Sequence, residues 1–403
     1  MRDTSLRVLY LHPAAAFGGA SKSLVELYGM LAKQGVRGTV ITPAGTASTA
    51  FSAAGLDVRV VRGLSQFDNT CYGYYRGVRW LILLLREFSL IPFALSGLWK
   101  LRQEKFDVIH INEITLLPLG LFAKYILRAP LVVHVRSLQR QPGIDWRSRR
   151  LASTLRRRAD AVVAIDHTVA STLERDLPLS IIHNGIKLAS KTPKAAERLG
   201  GPIRVGFLGV LIPLKGIFEL VEAVEVLKAR GVSIQCLVAG EDARKLSGPK
   251  AWLLRKFGFA RNVRAELEAL ILAKGLGEEI KLIGFYSDVR DLYPQIDVLC
   301  FPSHLDAAGR PVFEAALYSI PSVVAVDNPK PDAIIHEVTG LAVPSPDSLL
   351  IADAIQRLVE DPELRTRLGC QAKAWAEQTF SLEKSAAKML DVYRRITSFS
   401  RGR

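Results

Sequence analysis

Short apolar runs alternate with longer segments of helical periodicity along most of the chain. The runs are rich in β-branched residues and end at Gly, Pro, Asp or Asn, and most of the segments between them carry apolar residues at i, i+3, i+4 and i+7. Near-continuous apolar strands that alternate with helices are typical of a parallel sheet covered on both faces. The runs of the first half are LRVLYLHP, GTVITP, DVRVV, DVIHIN, LVVHVRS, AVVAID and LSIIHNG.

The alternation pauses in a polar stretch that contains Pro193 and Pro202, and it begins again with IRVGFLGV. This organisation predicts two doubly wound α/β domains. Ligands of such sheets bind at the carboxyl ends of the strands, and a cleft between two domains is a natural binding site. We assign residues 1–190 to an N-terminal domain, 191–202 to a linker, 203–380 to a second domain and 381–403 to a C-terminal amphipathic helix.

Residues 78–101, VRWLILLLREFSLIPFALSGLWKL, form the most hydrophobic stretch of the chain. Charged residues and a proline in its middle argue against a transmembrane helix, because charges are costly in hydrocarbon. Two interpretations stay open. One is a buried crossover helix between DVRVV and DVIHIN, and the other is a helix pair whose exposed side dips into a bilayer. The exposed side would then consist of Trp80, Leu84, Phe88 and Trp99.

The composition is that of a soluble globular protein, with 403 residues, 49% hydrophobic and 23% charged. The four cysteines lie far apart without a CxxC pair, which excludes a disulfide scaffold and a structural zinc cluster and suits a reducing cytosol. The N-terminal MRDTSLRVLYLHP favours a first strand over a signal peptide. We therefore expect a cytoplasmic protein. The cysteines are Cys71, Cys236, Cys300 and Cys370.

The net charge of +15 is concentrated in the first half of the chain. Residues 1–200 hold 28 Lys and Arg against 14 Asp and Glu, whereas residues 201–403 hold 26 against 25. This half therefore suits an anionic partner such as a membrane surface or a phosphorylated acceptor, and a solvated helix face is the alternative. We expect no nucleic acid, because the basic run lacks interleaved aromatics. The run contains Arg147, Arg149, Arg150, Arg156, Arg157 and Arg158.

Residues 302–321, PSHLDAAGRPVFEAALYSIP, follow the run DVLCFPS and lead into a helix. Small side chains there let backbone N–H groups reach a phosphate or sugar, and the helix dipole favours the negative charge. Asp306 and Glu314 can each bind a pair of hydroxyls, one pair on a sugar and one on a ribose. An ordinary strand-to-helix turn with a capping acid is the alternative.

This stretch resembles the E-x7-E motif of retaining glycosyltransferases of family 4, which have the GT-B fold of two Rossmann-like domains facing each other across a cleft. The resemblance covers nearly the whole chain, and its most specific part is the motif with Lys215 in the same half. The motif is matched by Asp306, Gly309, Glu314, Ala315, Pro321, Val323, Val324 and Ala325. The weaker matches are Phe17-Gly18-Gly19-Ala20, Asp107–His110, His134, Asn184-Gly185, Gly209 and Lys215-Gly216.

The resemblance implies a nucleotide-diphosphate sugar as donor, with UDP- or GDP-linked sugars expected. Glu314 would hold the ribose, and Lys215 would neutralise the leaving diphosphate. Gly18 and Gly19 of the first domain would let the backbone close on that diphosphate. Gly284 and Phe285 would pack against the base, and packing in the core is the alternative for Phe285. The donor-binding set is Gly18, Gly19, Lys215, Gly284, Phe285, Asp306, Ala307, Ala308, Gly309, Arg310 and Glu314.

His134, Lys215 and Asp306 would form the catalytic set, with His134 hydrogen-bonding the sugar or acceptor; a satisfied strand-end histidine is the alternative. The implied reaction proceeds with attack on the face that the nucleotide leaves, without a metal or cofactor. The C-terminal helix would cross back to the first domain. The acceptor would be a lipid-linked or anionic glycan, and the enzyme would contact the cytoplasmic face of a membrane.

Three positions depart from the family pattern. The first motif acid is Asp306 rather than Glu, Val210 replaces an arginine beside Lys215, and Ser319 replaces a glycine. Arg310, Arg244 or Lys245 would have to supply the missing charge. These departures leave a non-catalytic nucleotide-sugar-binding partner protein as the main alternative. An oxidoreductase is disfavoured because GxGxxG is absent after the first strand of either half.

Overall fold

The computed structural model describes residues 5–70, 79–140, 146–187, 201–242, 261–286 and 288–401. The chain divides into two compact units, Met1–Lys187 with Phe380–Arg403, and Leu188–Thr379. Most of the predicted linker, residues 191–200, lies outside the described residues.

The first unit contains a seven-stranded parallel sheet in the order β3-β2-β1-β4-β5-β6-β7. In its register, Leu9 lies opposite Thr39 on β2 and Ile109 on β4. The strand order reverses between β1 and β4, which is where ligands of doubly wound sheets bind. The strands are β1 (Leu6–Leu11), β2 (Val36–Pro43), β3 (Asp57–Val61), β4 (Val108–Ile111), β5 (Leu131–Val135), β6 (Ala161–Ala164) and β7 (Leu179–Ile181).

Helices cover both faces of this sheet. The pair α1 (Gly19–Lys33) and α2 (Thr46–Ala53) buries Leu24 and Phe51 against one face. The other face is covered by α3 (Arg79–Lys100), α4 (Leu117–Leu127), α5 (Trp146–Arg158) and the short α6 (His167–Ser171). Apolar strands buried on both sides account for the continuous hydrophobic runs in the sequence.

The second unit contains a six-stranded parallel sheet in the order β10-β9-β8-β11-β12-β13, with its reversal between β8 and β11. The strands are β8 (Ile203–Leu208), β9 (Ile234–Ala239), β10 (Ile280–Gly284), β11 (Val298–Phe301), β12 (Ser322–Ala325) and β13 (Gly340–Val343). The helices described in this unit are α7 (Ile217–Ala229), α8 (Val263–Ala273), α9 (Arg310–Leu317), α10 (Ser348–Glu360) and α11 (Pro362–Thr379). The prediction of two doubly wound α/β domains is thereby confirmed.

The last helix, α12 (Leu382–Arg401), belongs to the first unit. Its Met389 and Tyr393 are fully buried in the core cluster that also contains Leu24 of α1. The carbonyl of Phe380 accepts a hydrogen bond from the N–H of Ile186 at 2.9 Å. The chain therefore completes the helical layer of its first domain only at its C-terminal end.

The apolar segment predicted between β3 and β4 is one continuous helix, α3, with Pro92 inside it. The alternative of a helix pair is wrong for the described part of this segment. The helix does lie between β3 and β4, as the first interpretation predicts, but it is not buried, since only 17% of its most apolar stretch is covered. Of the residues that the second interpretation exposes, Trp80, Phe88 and Trp99 are exposed and Leu84 is half-buried. Among the described helices, α3 is the one long and apolar enough to cross a membrane by length and composition.

Candidate active site

Two loops are joined at the carboxyl edge of the second sheet, one after β8 and one after β11. The N–H of His304 donates to the carbonyl of Leu214 at 3.1 Å. Gly216 has φ +72°, and a Cβ there would lie 1.7 Å from the carbonyl oxygen of Pro302. Only glycine fits at such a close backbone approach, which explains why a glycine follows Lys215.

Lys215 ends the 3-10 turn Pro213–Lys215 and is half-buried. Its Nζ lies 4.9 Å from the ring centroid of Phe301, the last residue of β11. Burial lowers the pKa of this ammonium group, because a desolvated charge is disfavoured. Within the described residues, Lys215 has no carboxylate partner. It is therefore a partly desolvated cation whose charge is left for a ligand.

The loop that carries Asp306, the first motif acid, contacts the same aromatic ring as Lys215, that of Phe301. Gly309 packs so closely on Phe301 that a Cβ there would lie 2.4 Å from the ring. The backbone N–H groups of Ala307, Ala308 and Gly309 make no hydrogen bond to any other described residue. Since they precede helix α9, they can donate hydrogen bonds to an anion or a sugar oxygen.

Asp306 is exposed and has φ +48°, a conformation that Asp tolerates better than most residues. Its Oδ1 accepts a hydrogen bond from the N–H of Asp327, after β12, at 2.7 Å. This bond fixes the carboxylate at the strand edge. The second oxygen, Oδ2, has no partner among the described residues.

Glu314, the second motif acid, is buried in helix α9, and both its oxygens are engaged. Arg310 Nε donates to Oε1 at 2.7 Å, and the Tyr293 hydroxyl donates to Oε2 at 2.9 Å. The ring of Tyr293 stacks on Tyr318 with centroids 5.1 Å apart. The carboxylate is therefore held in one orientation.

The missing cation beside Lys215 is not replaced by a free guanidinium in the described residues of this edge. Val210 is 47% exposed at that position. Arg310, one of the predicted substitutes, neutralises Glu314 instead. Arg244 and Lys245, the other two, lie outside the described residues.

Gly284 and Phe285 lie at the end of β10, on the same edge. The N–H of Gly240, after β9, donates to the carbonyl of Gly284 at 2.8 Å. The ring of Phe285 is 70% exposed, so the alternative of core packing is wrong. Ser319, at the end of α9, has φ +60°, which explains why glycine is the natural residue at that position.

At the carboxyl edge of the first sheet, Gly18 and Gly19 begin helix α1. A Cβ at either position would meet nothing within 4 Å, and Gly18 has an extended backbone with φ −150°. The packing of the first unit therefore does not require glycine at these two positions.

His134 is not at the open edge of the sheet, in contrast to the prediction. It lies inside strand β5 and is only 2% exposed. Its Nδ1 lies 3.1 Å from Nε2 of His110, and His110 Nδ1 lies 2.6 Å from the hydroxyl of Tyr393. Its own Nε2 is buried without a hydrogen-bond partner among the described residues. Burial lowers the pKa of His134 first, with Arg136 and His110 adding to the effect, so the ring is neutral.

Arg136 is the polar residue at the end of β5, and it was not predicted from the sequence. It lies two positions after His134, on the same face of the strand and just past its end. Its Nη2 donates to Asn112 Oδ1 at 2.8 Å, and its Nη1 donates to Asn184 Oδ1 at 2.6 Å. Arg136 therefore ties together the loops after β4, β5 and β7. The HVRS stretch at the end of an apolar run was the available indication.

The Asn184-Gly185 pair is explained within the first unit. Asn184 is held by Arg136, and a Cβ on Gly185 would lie 2.6 Å from the Cα of Leu382. Glycine at this position lets the start of helix α12 approach the loop after β7.

The predicted basic patch is an exposed side of helix α5, but its arginines are not equivalent. Arg156 forms ion pairs with Glu174 and, at 2.7 Å, with Asp176. Arg147 lies over the ring of Trp146, 5.8 Å from its centroid. The remaining exposed members are Arg149, Arg150, Arg157 and Arg158.

Both halves of the chain match models of known families. Residues 17–190 match the model described as Glycosyltransferase Family 4, and residues 190–375 match Glycosyl transferases group 1. Alpha-D-kanosaminyltransferase of Streptomyces kanamyceticus is 27% identical over 302 residues, which are 67% of this chain and 72% of that protein. The lipopolysaccharide core biosynthesis mannosyltransferase LpcC of Rhizobium leguminosarum bv. viciae is 26% identical over 308 residues, 74% of this chain and 81% of that protein.

Among solved structures, HepE of Anabaena in complex with UDP and glucose superimposes with a TM-score of 0.73 at 20% identity, covering 96% of this chain and 98% of HepE. This similarity supports the fold. The two family matches are consecutive and cover nearly all of both parallel-sheet domains. The chain is therefore a GT-B glycosyltransferase, in which a Glycosyltransferase Family 4 domain precedes a group 1 glycosyl transferase domain.

Proposed function

We propose that the protein transfers a sugar from a UDP- or GDP-linked donor to a lipid-linked or anionic glycan during synthesis of a cell-surface polysaccharide or lipopolysaccharide. The transfer retains the anomeric configuration and uses no metal. The names of the relatives support this assignment, since one is a lipopolysaccharide core mannosyltransferase and HepE was solved with UDP and glucose.

The observation that carries the proposal is the unpaired cation at the edge of the second sheet. Lys215 lies over Phe301 without an acidic partner in the described part of the chain, and Phe301 also packs against Gly309. A diphosphate at this edge would receive the ammonium charge and the open N–H groups of Ala307–Gly309. Stabilising the charge that develops on the leaving diphosphate is the largest electrostatic requirement of the reaction.

The other donor contacts follow from the same edge. Asp306 Oδ2 would accept hydroxyl protons of the transferred sugar, and Glu314, oriented by Arg310 and Tyr293, would accept those of the ribose. The exposed ring of Phe285 is available to stack on the base. In the first unit, Gly18 and Gly19 would let the backbone approach the diphosphate. Arg136 replaces His134 as the residue we assign to the sugar or acceptor.

The acceptor assignment depends on the basic first half of the chain. Arg157 and Arg158 are exposed on α5 and would attract a phosphate-rich acceptor. We place the enzyme on the cytoplasmic side of a membrane, where both a soluble nucleotide sugar and a lipid-linked acceptor are within reach.

The experiment that tests this function is thermal unfolding with UDP, GDP or ADP, each with and without EDTA. A ligand at a hundred times its dissociation constant stabilises the folded state by about 2.7 kcal/mol, which is readily measured. We expect one uridine or guanosine nucleotide to raise Tm regardless of EDTA. A shift that EDTA abolishes would contradict metal-independent binding, and no shift with any nucleotide would favour a non-catalytic protein.

Retention is tested separately with the donor that gives the shift. Proton NMR of the product formed early in the reaction distinguishes the two anomers. An α-linked product from an α-linked donor supports the proposal, whereas inversion contradicts it.

A further inference from the structure

Helix α3 presents an apolar side that the described part of its own domain does not cover. The inward side is fixed in the core, where Ala94 and Leu98 are fully buried and a Cβ on Gly97 would lie 2.6 Å from Val61. The outward side is solvent-exposed over its whole length. The large apolar residues of the helix that are 40–62% exposed are Trp80, Leu81, Ile82, Leu85, Phe88, Phe93 and Trp99.

The charges around this side are positive. Among the helix residues whose side chains are described, Arg86 and Lys100 are exposed and charged, and Arg86 Nε lies 3.9 Å from Glu87 Oε1. Its one acid, Glu87, is 6% exposed and accepts a hydrogen bond from the N–H of Gln66 at 2.7 Å. Two neighbouring arginines lie over aromatic rings of the helix, Arg62 over Phe93 at 4.8 Å and Arg102 over Trp99 at 5.2 Å.

The helix is long and apolar enough to span a bilayer, but its packing excludes that arrangement. Leu98 belongs to the same core cluster as Ile41 of β2 and Ile109 of β4, so spanning would require the sheet to lose its cover. A helix with one side anchored on a folded domain and one apolar side outward lies along a surface instead.

We propose that α3 docks this domain on an anionic lipid bilayer, with the helix axis in the plane of the interface. Leu81, Leu85 and Phe88 enter the boundary between head groups and acyl chains, while Arg86 and Lys100 extend their stems toward the lipid phosphates. The positive rim selects an anionic bilayer over a second copy of the chain, since two copies of this surface repel each other.

This inference deepens the proposed function by naming the surface that meets the membrane, and it rests on that function only for the lipid-linked nature of the acceptor. Helix α5 covers the same face of the sheet as α3. Its exposed Arg157 and Arg158 therefore belong to the same layer of helices as α3.

Vesicle flotation tests the inference without donor or acceptor. The wild-type protein is mixed with phosphatidylcholine vesicles that contain about 30% phosphatidylglycerol or none. We expect flotation with the anionic vesicles, and partition lower by about tenfold or more in the double variant Leu85→Ser/Phe88→Ser. The matched control, Leu272→Ser/Leu350→Ser, removes two exposed leucines of the second unit and should float like the wild type.

The inference would be overturned if the wild-type protein did not float, or if the double variant floated equally well. It would also be overturned if sedimentation equilibrium showed a dimer for the wild type and a monomer for the double variant. The last result would make α3 an interface between copies. Nucleotide-induced Tm shifts are measured on the same variants and should equal those of the wild type. A failure of the proposed sugar transfer would therefore be seen separately from a failure of membrane docking.

Discussion

The charge state of Lys215 should determine how kcat/KM falls at alkaline pH. Burial disfavours its ammonium form, so the proton is lost at a lower pH than the ordinary value of about 10.4 for lysine. As pH rises, kcat/KM should fall with an alkaline limb that begins below the usual lysine range. Lys215→Arg keeps its charge and should move this limb upward, while Lys215→Met should lower kcat/KM by about 10²–10³.

The measurement is kcat/KM for nucleotide release between neutral and alkaline pH. Lys281→Met is a suitable control, because Lys281 lies in the same unit and forms an exposed ion pair with Glu278. An identical alkaline limb in the wild type and in Lys215→Arg would assign the titration to another group.

The sequence predicted the strand-edge positions of Lys215, Asp306 and Glu314 better than that of His134. Asp306 and Glu314 lie in a motif of fixed spacing between a strand end and a helix, and Lys215 lies in the turn between β8 and α7, so their placement follows from local geometry. His134 was misplaced because the end of strand β5 lies one residue beyond it. Alternation along a strand shows that His134 and Arg136 share a face, but it does not show which of them passes the edge of the sheet.

At the scale of elements, the start of helix α1 tests why glycine occupies positions 18 and 19. The structure gives a Cβ at Gly19 open space, and alanine is the better helix former by up to about 1 kcal/mol. Gly19→Ala should therefore leave Tm unchanged or raise it slightly. If the donor diphosphate approaches this backbone, the same substitution should raise KM for the donor by about tenfold.

Gly29→Ala is the matched control, since Gly29 lies in the same helix and its Cβ would also meet nothing within 4 Å. It should raise Tm without affecting KM. An equal KM for the donor in Gly19→Ala and the wild type would show that Gly19 does not belong to the donor site.

Helix α3 shows what hydrophobic content alone leaves open. Its apolar residues predict a helix, and the helix exists with Pro92 inside it. Whether such a helix is buried depends on which elements pack against it, and this is set by residues far away in the sequence, such as Val61 and Ile41. The hydrophobic content of α3 is therefore compatible both with a core helix and with a helix that faces a membrane.

At the scale of the whole molecule, the alternation of strands and helices was sufficient to predict two doubly wound domains, because parallel strands require crossover connections. The buried hydrogen-bond network of the first domain could not be predicted from this alternation. The chain from Tyr10 through Tyr393 and His110 to His134 joins β1, α12, β4 and β5. Tyr10 and Tyr393 are separated by 383 residues, and no local pattern links them.

These buried histidines predict that the two units respond differently to acid. Burial, with a smaller effect of Arg136, lowers the pKa of His12 and of His110 to about 3, and that of His134 also falls. The unfolded chain binds these protons below about pH 6.5 and the folded domain does not, so stability falls as pH falls from about 6.5 towards 3. His12 and His110 each contribute about 1.4 kcal/mol per pH unit in this window, and His134 adds to the loss in the same direction.

Amide hydrogen exchange at pH 7.5 and about pH 5.5 measures this difference. Protection of β4 and β5 should fall by about a hundredfold or more at the lower pH, after correction for intrinsic exchange. Strands β11 and β12 should change little, since the two histidines described in their unit, His304 and His336, are exposed. His110→Gln should make this loss of protection smaller by about tenfold. Equal loss of protection in both units would contradict the assignment of acid sensitivity to the buried histidines.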